Sequence, residues 1–231
     1  MIRNQRVLAI IPARGGSKGL PGKNIKSLHG KPLLTYTLEV AQKSHYIDRI
    51  VLSTDSEAIA EVARSFGLEV PFLRPASLAT DKAATMDVIA HVVASLQEAF
   101  DILVVLQPTS PLRIRADIDG SLELLLEKEA NAVLSVVKVD HPVEWTNVLP
   151  EDGRMDHFIS PAIRFTPRQE LSRRYRLNGA VYVARTDYLL EHRNYFHSYC
   201  YAFVMPKDRS VDIDDQLDFD FAEFLLQRNT P

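Results

Sequence analysis

An α/β fold with a doubly wound, mostly parallel sheet is what this sequence predicts, and three observations predict it. Short runs of Val, Ile and Leu recur, almost unbroken by polar residues, as strands covered on both faces are. Segments with apolar residues at helical spacing lie between them. The two kinds alternate, which asks for right-handed crossovers between parallel strands.

The first run is RVLAII (6–11), followed after a polar, glycine-rich stretch by KPLLTYTLEVAQKS (31–44) at helical spacing. RIVLST (49–54) is the second strand and SEAIAEVARSFG (56–67) the second helix. Thr54 with Glu57 fits a capping box at its start, and Gly67 fits its C-terminal stop. TMDVIAHVVASLQEAF (85–100) is helical and DILVVLQ (101–107) is a strand; ADIDGSLELLLEKE (116–129) and NAVLSVVKV (131–139) repeat the pair. The pattern breaks after Val139. Residues 140–177 hold Pro142, Pro150, Pro161, Pro167, the single Trp145 and the basic run RFTPRQELSRRYR. Structureless loops of that length are uncommon inside a domain, so this stretch reads as an excursion from the sheet, a hairpin that packs on a second subunit; the alternative is an ordered surface loop on a monomer. GAVYVAR (179–185) and YAFVMP (201–206) return as strands, and DDQLDFDFAEFLLQ (214–227) is a closing amphipathic helix.

The 231 residues fit one domain, with or without an appended subdomain, and 46% apolar content is enough for an unstapled core. A net charge of -3 lacks the basic stripe of a nucleic-acid binder. Cys200 is alone and cannot form an internal disulfide, which fits a reducing cytoplasm. No run approaches the roughly 20 apolar residues of a membrane helix. The apolar run at 7–11 is too short for the core of a signal peptide. The histidines show no metal spacing, no G-x-S-x-G elbow occurs, and Cys200 has no activating neighbour. Zinc, serine-hydrolase and thiol chemistry are therefore unsupported.

The stretch IIPARGGSKGLPGKN (10–24) follows the first strand, where a doubly wound sheet places its ligands. It is not a Walker A loop, because the first glycine of that motif falls at Ser17 and Asn24 follows the Gly22-Lys23 pair. Nor is it G-x-G-x-x-G, since Ser17 stands two residues after Gly15. What remains is a glycine loop whose backbone N–H groups, with Arg14, Lys18 and Lys23 as cations, form a nest for an anion. In VDIDDQLD (211–218), Asp212 and Asp214 point the same way if the stretch is extended. Two hard carboxylates on one side suit Mg²⁺; the alternative is that Asp214 caps the helix that follows. Gln107, in LQPTSPLR, both donates and accepts and so suits a sugar or base edge; taken alone, the stretch reads better as a rigid strand-to-helix turn. Arg74, after a short strand, is by itself the kind of arginine usually solvated at a surface.

IPARGGSKGLPGKN, RIVLSTDSEAIAEVARSFG, LRPASLATD, LQPTSPLR, YRLNGAVYV and RSVDIDDQLD occur in this order. Together they resemble the acylneuraminate cytidylyltransferases, the CMP-sialic acid synthetase family, over about residues 6–227. The resemblance implies a Rossmann-like nucleotidyltransferase sheet forming a single domain over 1–231, with 140–177 as a dimerisation and sugar-site excursion. It implies transfer of CMP from CTP to a nine-carbon α-keto acid sugar, with Mg²⁺, in a homodimer. By motif, Arg14, Gly15, Gly16, Ser17, Lys18 and Lys23 would hold the triphosphate, with Lys23 at the α-phosphate. Asn24, Arg74 and Thr85 would contact the nucleotide. Gln107, Arg168 and Tyr182 would meet the sugar, Arg168 reaching its carboxylate from the partner subunit. Asp212 and Asp214 would hold the metal, and Tyr195 and Phe196 stand roughly where the family places an aromatic pair near the acyl group. The rivals are a cytidylyltransferase for another keto-sugar acid, such as ketodeoxyoctonate, and a nucleotide-binding module that has lost turnover.

Overall fold

At the centre of the computed structural model, which describes residues 1–17 and 19–229, lies a six-stranded sheet. β1 (Val7–Pro12) alternates its side chains between two cores, Val7, Ala9 and Ile11 into one and Leu8 and Ile10 into the other. This is why the run reads as continuously apolar. Burying each such side chain contributes about 1.5–3 kcal/mol.

β2 (Ser27–Leu28) and β3 (Lys31–Pro32) form a small antiparallel hairpin. Its two turn residues, His29 and Gly30, both have positive φ, the backbone of a turn that matches strand twist. α1 (Leu33–Gln42), β4 (Arg49–Ser53) and α2 (Glu57–Ser65) follow. α2 stops as the sequence predicts. Gly67 sits at φ 78° and donates to the Arg64 carbonyl, while the Leu68 N–H reaches Ala63, the paired bonds of a glycine helix stop. The expected Thr54–Glu57 box does not form. Ser56 precedes the helix, and the Thr54 hydroxyl instead accepts from the Ser56 N–H at 3.1 Å, tightening the turn between β4 and α2.

α3 (Thr85–Leu96), β5 (Ile102–Val105), α4 (Arg115–Glu127) and β6 (Ala132–Lys138) lie where the sequence predicts them. β7 (Tyr175–Arg185), α5 (Thr186–His192), β8 (Cys200–Val204) and α6 (Gln216–Asn229) complete the chain. The sheet order is β4-β1-β5-β7-β6-β8. Five strands run one way and β7 runs against both its neighbours. The chain between β6 and β7 contains no crossover helix, and an antiparallel pair needs none. α1, α2 and α4 cover one face of the sheet and α3 and α5 the other. α6 packs on the hairpin and α1 through Phe219, Ala222, Leu28 and Leu33.

Three further expectations need correction. β7 starts four residues before the apolar run at 179, with a register shift opposite Leu134 and Val136. Residues 140–174 form no hairpin; they hold only one-turn 3₁₀ helices at Val143–Trp145 and Arg168–Glu170. Apolar side chains there lie open, with Val148 at 87% and Phe165 at 90% exposure. No strand precedes Arg74, because residues 68–75 pair with no neighbouring strand. Among the described residues, no helix is long and apolar enough to cross a membrane.

Candidate active site

Because β1, β4, β5, β6 and β8 are parallel, their carboxyl ends share one edge of the sheet. The reversed β7 brings its first residues, near Asn178 and Gly179, to the same edge. The glycine loop after β1, the turn after β5 and the 205–215 segment after β8 therefore meet there, at the place where open α/β sheets bind ligands.

The glycine loop is fastened at both ends. The Gly15 N–H donates to Asp55 at 2.9 Å, and a Cβ at Gly15 would stand 3.0 Å from that of Ser56. Gly16 is exposed with open space where a side chain would go, and Ser17 beside it is partly exposed. Gly19 lies so close to Asp214 that a Cβ would meet its carbonyl oxygen at 2.3 Å. Gly22, at φ 67°, turns the chain into the 3₁₀ turn Lys23–Ile25. From that turn the Lys23 ammonium donates to the Ile213 carbonyl at 2.6 Å and lies 3.4 Å from the Asp214 carboxylate. The buried Asn24 amide donates back to the Arg14 carbonyl at 3.0 Å. Lys18 lies outside the described residues.

The loop and the turn after β5 enclose a cleft of about 280 Å³, lined among others by Arg14, Lys23, Asn24, Arg74, Thr85 and Gln107. Arg14 crosses it to Asp81 at 2.8 Å, and Thr85 is exposed at the start of α3. Arg74 is no surface arginine. It is buried, with Nε bonded to the Ser53 hydroxyl at 3.0 Å and the fork gripping the Ser53 and Leu78 carbonyls. Burial lowers its pKa, against the pull of Asp55.

Asp212 and Asp214 take different positions. Asp214 is exposed, and it does not cap α6. That role falls to Asp215, whose carboxylate accepts the Asp218 N–H at 3.1 Å while Asp218 accepts the Asp214 and Asp215 N–H groups. Asp214 is thereby left free to face Lys23. Asp212 is half-buried. Its carboxyl is pushed above the ordinary range by burial, against a hydrogen bond from Thr109, with Asp214 adding to the rise. Its Oδ1 is buried and has no hydrogen-bond partner among the described residues.

Gln107 meets Asp212 over a glycine. A Cβ at Gly179 would lie 2.7 Å from the Gln107 side-chain oxygen and 3.4 Å from Asp212 Oδ2, and Gly179 has φ 72°. Only glycine fits both the backbone and the space. Tyr182, on the same strand, has its ring 5.6 Å from that of Tyr195. Its phenol is held above its usual pKa by burial and then by Asp212.

The sequence profile of the cytidylyltransferases matches residues 8–150. The chain belongs to the cytidylyltransferase family. It is 36% identical over 225 residues to an N-acylneuraminate cytidylyltransferase of Escherichia coli O18:K1:H7, covering 96% of this chain and 52% of that protein. It is 33% identical over 231 residues to the CMP-N,N'-diacetyllegionaminic acid synthase of Legionella pneumophila, covering 97% of each. A pseudaminic acid cytidylyltransferase of Campylobacter jejuni is 32% identical over 225 residues, covering 96% of this chain and 97% of its own length. The chain thus spans about half the E. coli relative and nearly all of the other two. A solved CMP:2-keto-3-deoxy-manno-octonic acid synthetase complexed with CTP shares the fold, with a TM-score of 0.73 at 18% identity, covering 97% of this chain and 100% of that one. The resemblance read from the motifs is borne out, and so is the nucleotidyltransferase sheet.

In this cytidylyltransferase the Asp212–Asp214 pair could hold a hard cation. A buried carboxylate oxygen without a partner is costly, and a divalent ion that keeps several waters needs only one or two carboxylates. Among the described residues no cluster of three metal-binding side chains occurs. Arg168 does not line the cleft of Arg14 and Gln107. It lines a second cleft of about 320 Å³ with Lys138, Asp140, Arg173 and Arg174, and its guanidinium donates to the Asp140 carbonyl.

Sequence reading missed Asp55, Thr109, Asn178 and Gly179. The Asn178-Gly179 pair carried a signal, since Asn-Gly marks a break in a strand. Asn178 is buried and knits Ser135, Ser210 and the Ala180 N–H together at the β7 irregularity. Asp55 and Thr109 carried none, because lone acids and hydroxyls are common in turns.

Proposed function

We propose that this chain transfers CMP from CTP to a nine-carbon α-keto acid sugar, a sialic acid or related nonulosonate, releasing pyrophosphate. One observation carries the reading: the glycine loop is seated on the Asp212–Asp214 segment through the Gly19–Asp214 approach and the Lys23 bond to Ile213. A phosphate nest and a carboxylate pair thus share one site. The names of the relatives, all CMP-sugar-acid enzymes, support the acceptor class.

The anomeric hydroxyl of the sugar forms the new bond to the α-phosphorus, the bond to the β-phosphate bridge breaks, and pyrophosphate leaves with the electron pair. Arg14, Lys23 and the loop N–H groups around Gly15, Gly16 and Ser17 hold the triphosphate where negative charge grows, with Lys18 as a further cation. Such pre-placed charge lowers the barrier because it binds the transition state more strongly than the ground state. Asn24, Arg74 and Thr85 position the nucleotide, and Arg74, held by the Ser53 carbonyl, stiffens that wall. Asp212 and Asp214 would hold Mg²⁺, which when bound offsets charge on the phosphate oxygens. Gln107 and Tyr182 face the sugar. Among the described residues no side chain of the site is an evident base for the hydroxyl proton, which is assigned to water or a phosphate oxygen.

The acceptor's carboxylate is assigned to Arg168 of a second copy in a homodimer. The support is the place of Arg168 outside the cleft of Arg14 and Gln107 and the open apolar side chains of the 140–177 excursion. CTP as substrate and the lone Cys200 favour a cytoplasmic setting.

Pyrophosphate release with CTP, Mg²⁺ and a panel of neuraminate, legionaminate, pseudaminate and ketodeoxyoctonate tests the proposal. Turnover with one of the nine-carbon acids is expected. Turnover with ketodeoxyoctonate alone, or with none, overturns it.

A further inference from the structure

Arg113 closes the QPTSPLR turn and is 2% exposed. One nitrogen of its fork donates to the Ala180 carbonyl at 2.6 Å and to the Gln107 carbonyl at 3.2 Å, and the other to the Thr37 hydroxyl at 2.7 Å. Its Nε is buried without a partner among the described residues. The carboxylate that acts on it, Asp117, is taken by Arg209 through two bonds of 2.8 and 3.0 Å. Burial pulls the guanidinium down to about 9, so it stays charged at neutral pH. A buried cation without a contacting counter-ion is an expensive strut, and an apolar side chain commonly does a strut's work as well. What the guanidinium does that no apolar group could is join two carbonyls. These belong to Gln107 and to Ala180, the residue after Gly179, and the Gln107 amide lies over Gly179 beside Asp212.

We propose that Arg113 is a positioning residue for the acceptor side of the site, clamping the β5 turn to β7 so that the Gln107 amide is held over Gly179. The assignment of that side to the sugar rests on the transfer reading above; the clamp itself does not. Gln107 is the group that touches the ligand, and Arg113 acts through it.

The test is a cycle of Arg113→Met, Gln107→Ala and the double variant. Arg113→Met is expected to raise the sugar KM about tenfold, as loss of positioning does, with CTP affinity by calorimetry little changed. In the Gln107→Ala background it should add less than about twofold, because the two residues act as one unit. Additive effects, or an equal loss of CTP affinity, overturn the proposal. Should Arg113→Met not fold, Arg113→Lys carries the same cycle, since it keeps the charge and loses the fork. A second readout needs no sugar. The Gln107 side-chain NH₂ pair in a ¹⁵N spectrum, assigned by its loss in Gln107→Ala, should move toward the free-glutamine position in Arg113→Lys. An unmoved pair overturns the clamp even if the transfer reading holds. Absence of wild-type turnover on the sugar panel overturns the transfer reading while the NH₂ pair still reports on the clamp.

Discussion

Gly19→Ala isolates the contact that joins the glycine loop to the aspartate segment. The new Cβ would stand 2.3 Å from the Asp214 carbonyl oxygen and 3.4 Å from its carbon. Relief needs a separation of roughly 1 Å, since non-bonded carbon contacts are comfortable only near 3.5 Å. One side must yield. The Asp214 segment is held by the Ile213 N–H on the Thr109 carbonyl at 2.8 Å, by Lys23, and by the Asp215 cap of α6. Gly19 is exposed and in no regular element, so the loop moves. Overpacking of this kind costs about 1–3 kcal/mol. The two cores against the sheet stay closed, but Leu20 beside Gly19 is buried with Val211 and Ile213, so part of that should appear in the melting temperature. The larger part should appear in binding, where 1–3 kcal/mol is about 5- to 150-fold in Kd. CTP titration by calorimetry, with a thermal melt alongside, is the assay. CTP affinity within about twofold of wild type in the folded variant would refute the idea that the loop must rest on Asp214 to grip the triphosphate.

The two neighbouring aspartates should separate cleanly. Asp215→Ala is expected to cost about 0.5–2 kcal/mol of stability through loss of the helix cap while sparing kcat, and Asp214→Asn to do the reverse; one phenotype shared by both variants would contradict the division. Asp212→Asn should lower kcat by orders of magnitude yet raise the melting temperature of the metal-free protein near neutral pH. The sign follows from the raised carboxyl: the folded state binds its proton more tightly than the unfolded chain, so ionised Asp212 costs stability above that pKa. The gain should vanish as pH falls below the ordinary carboxylate range, and a melting temperature that drops at neutral pH would contradict it. Arg168→Ala should chiefly raise the sugar KM, and mixing it with an inactive Asp212→Asn chain should restore part of the activity if the arginine acts across a dimer; no restoration would place Arg168 within its own chain's site.

Local pattern was enough to find every strand of the main sheet within a few residues, because buried strands and amphipathic helices carry their periods in short windows. The glycine loop, the LQPTSPLR turn and the aspartate pair stand out in the sequence by residue type, and the structure brings all three to one edge of the sheet. Local pattern could not tell that β7 runs backwards, since GAVYVAR is equally apolar in either direction and strand direction is set by which neighbours it bonds. Nor could it choose between Asp214 and Asp215 as the cap of α6, a difference of one residue that hydrogen-bond geometry decides. Arg74 and Arg113 look like surface arginines in the sequence, and burial depends on what lies above them in the fold. The approach of Gly19 to Asp214 joins two ends of the chain. Contacts between residues so distant leave no local period; they exist only once parallel strands have brought their carboxyl ends to one edge.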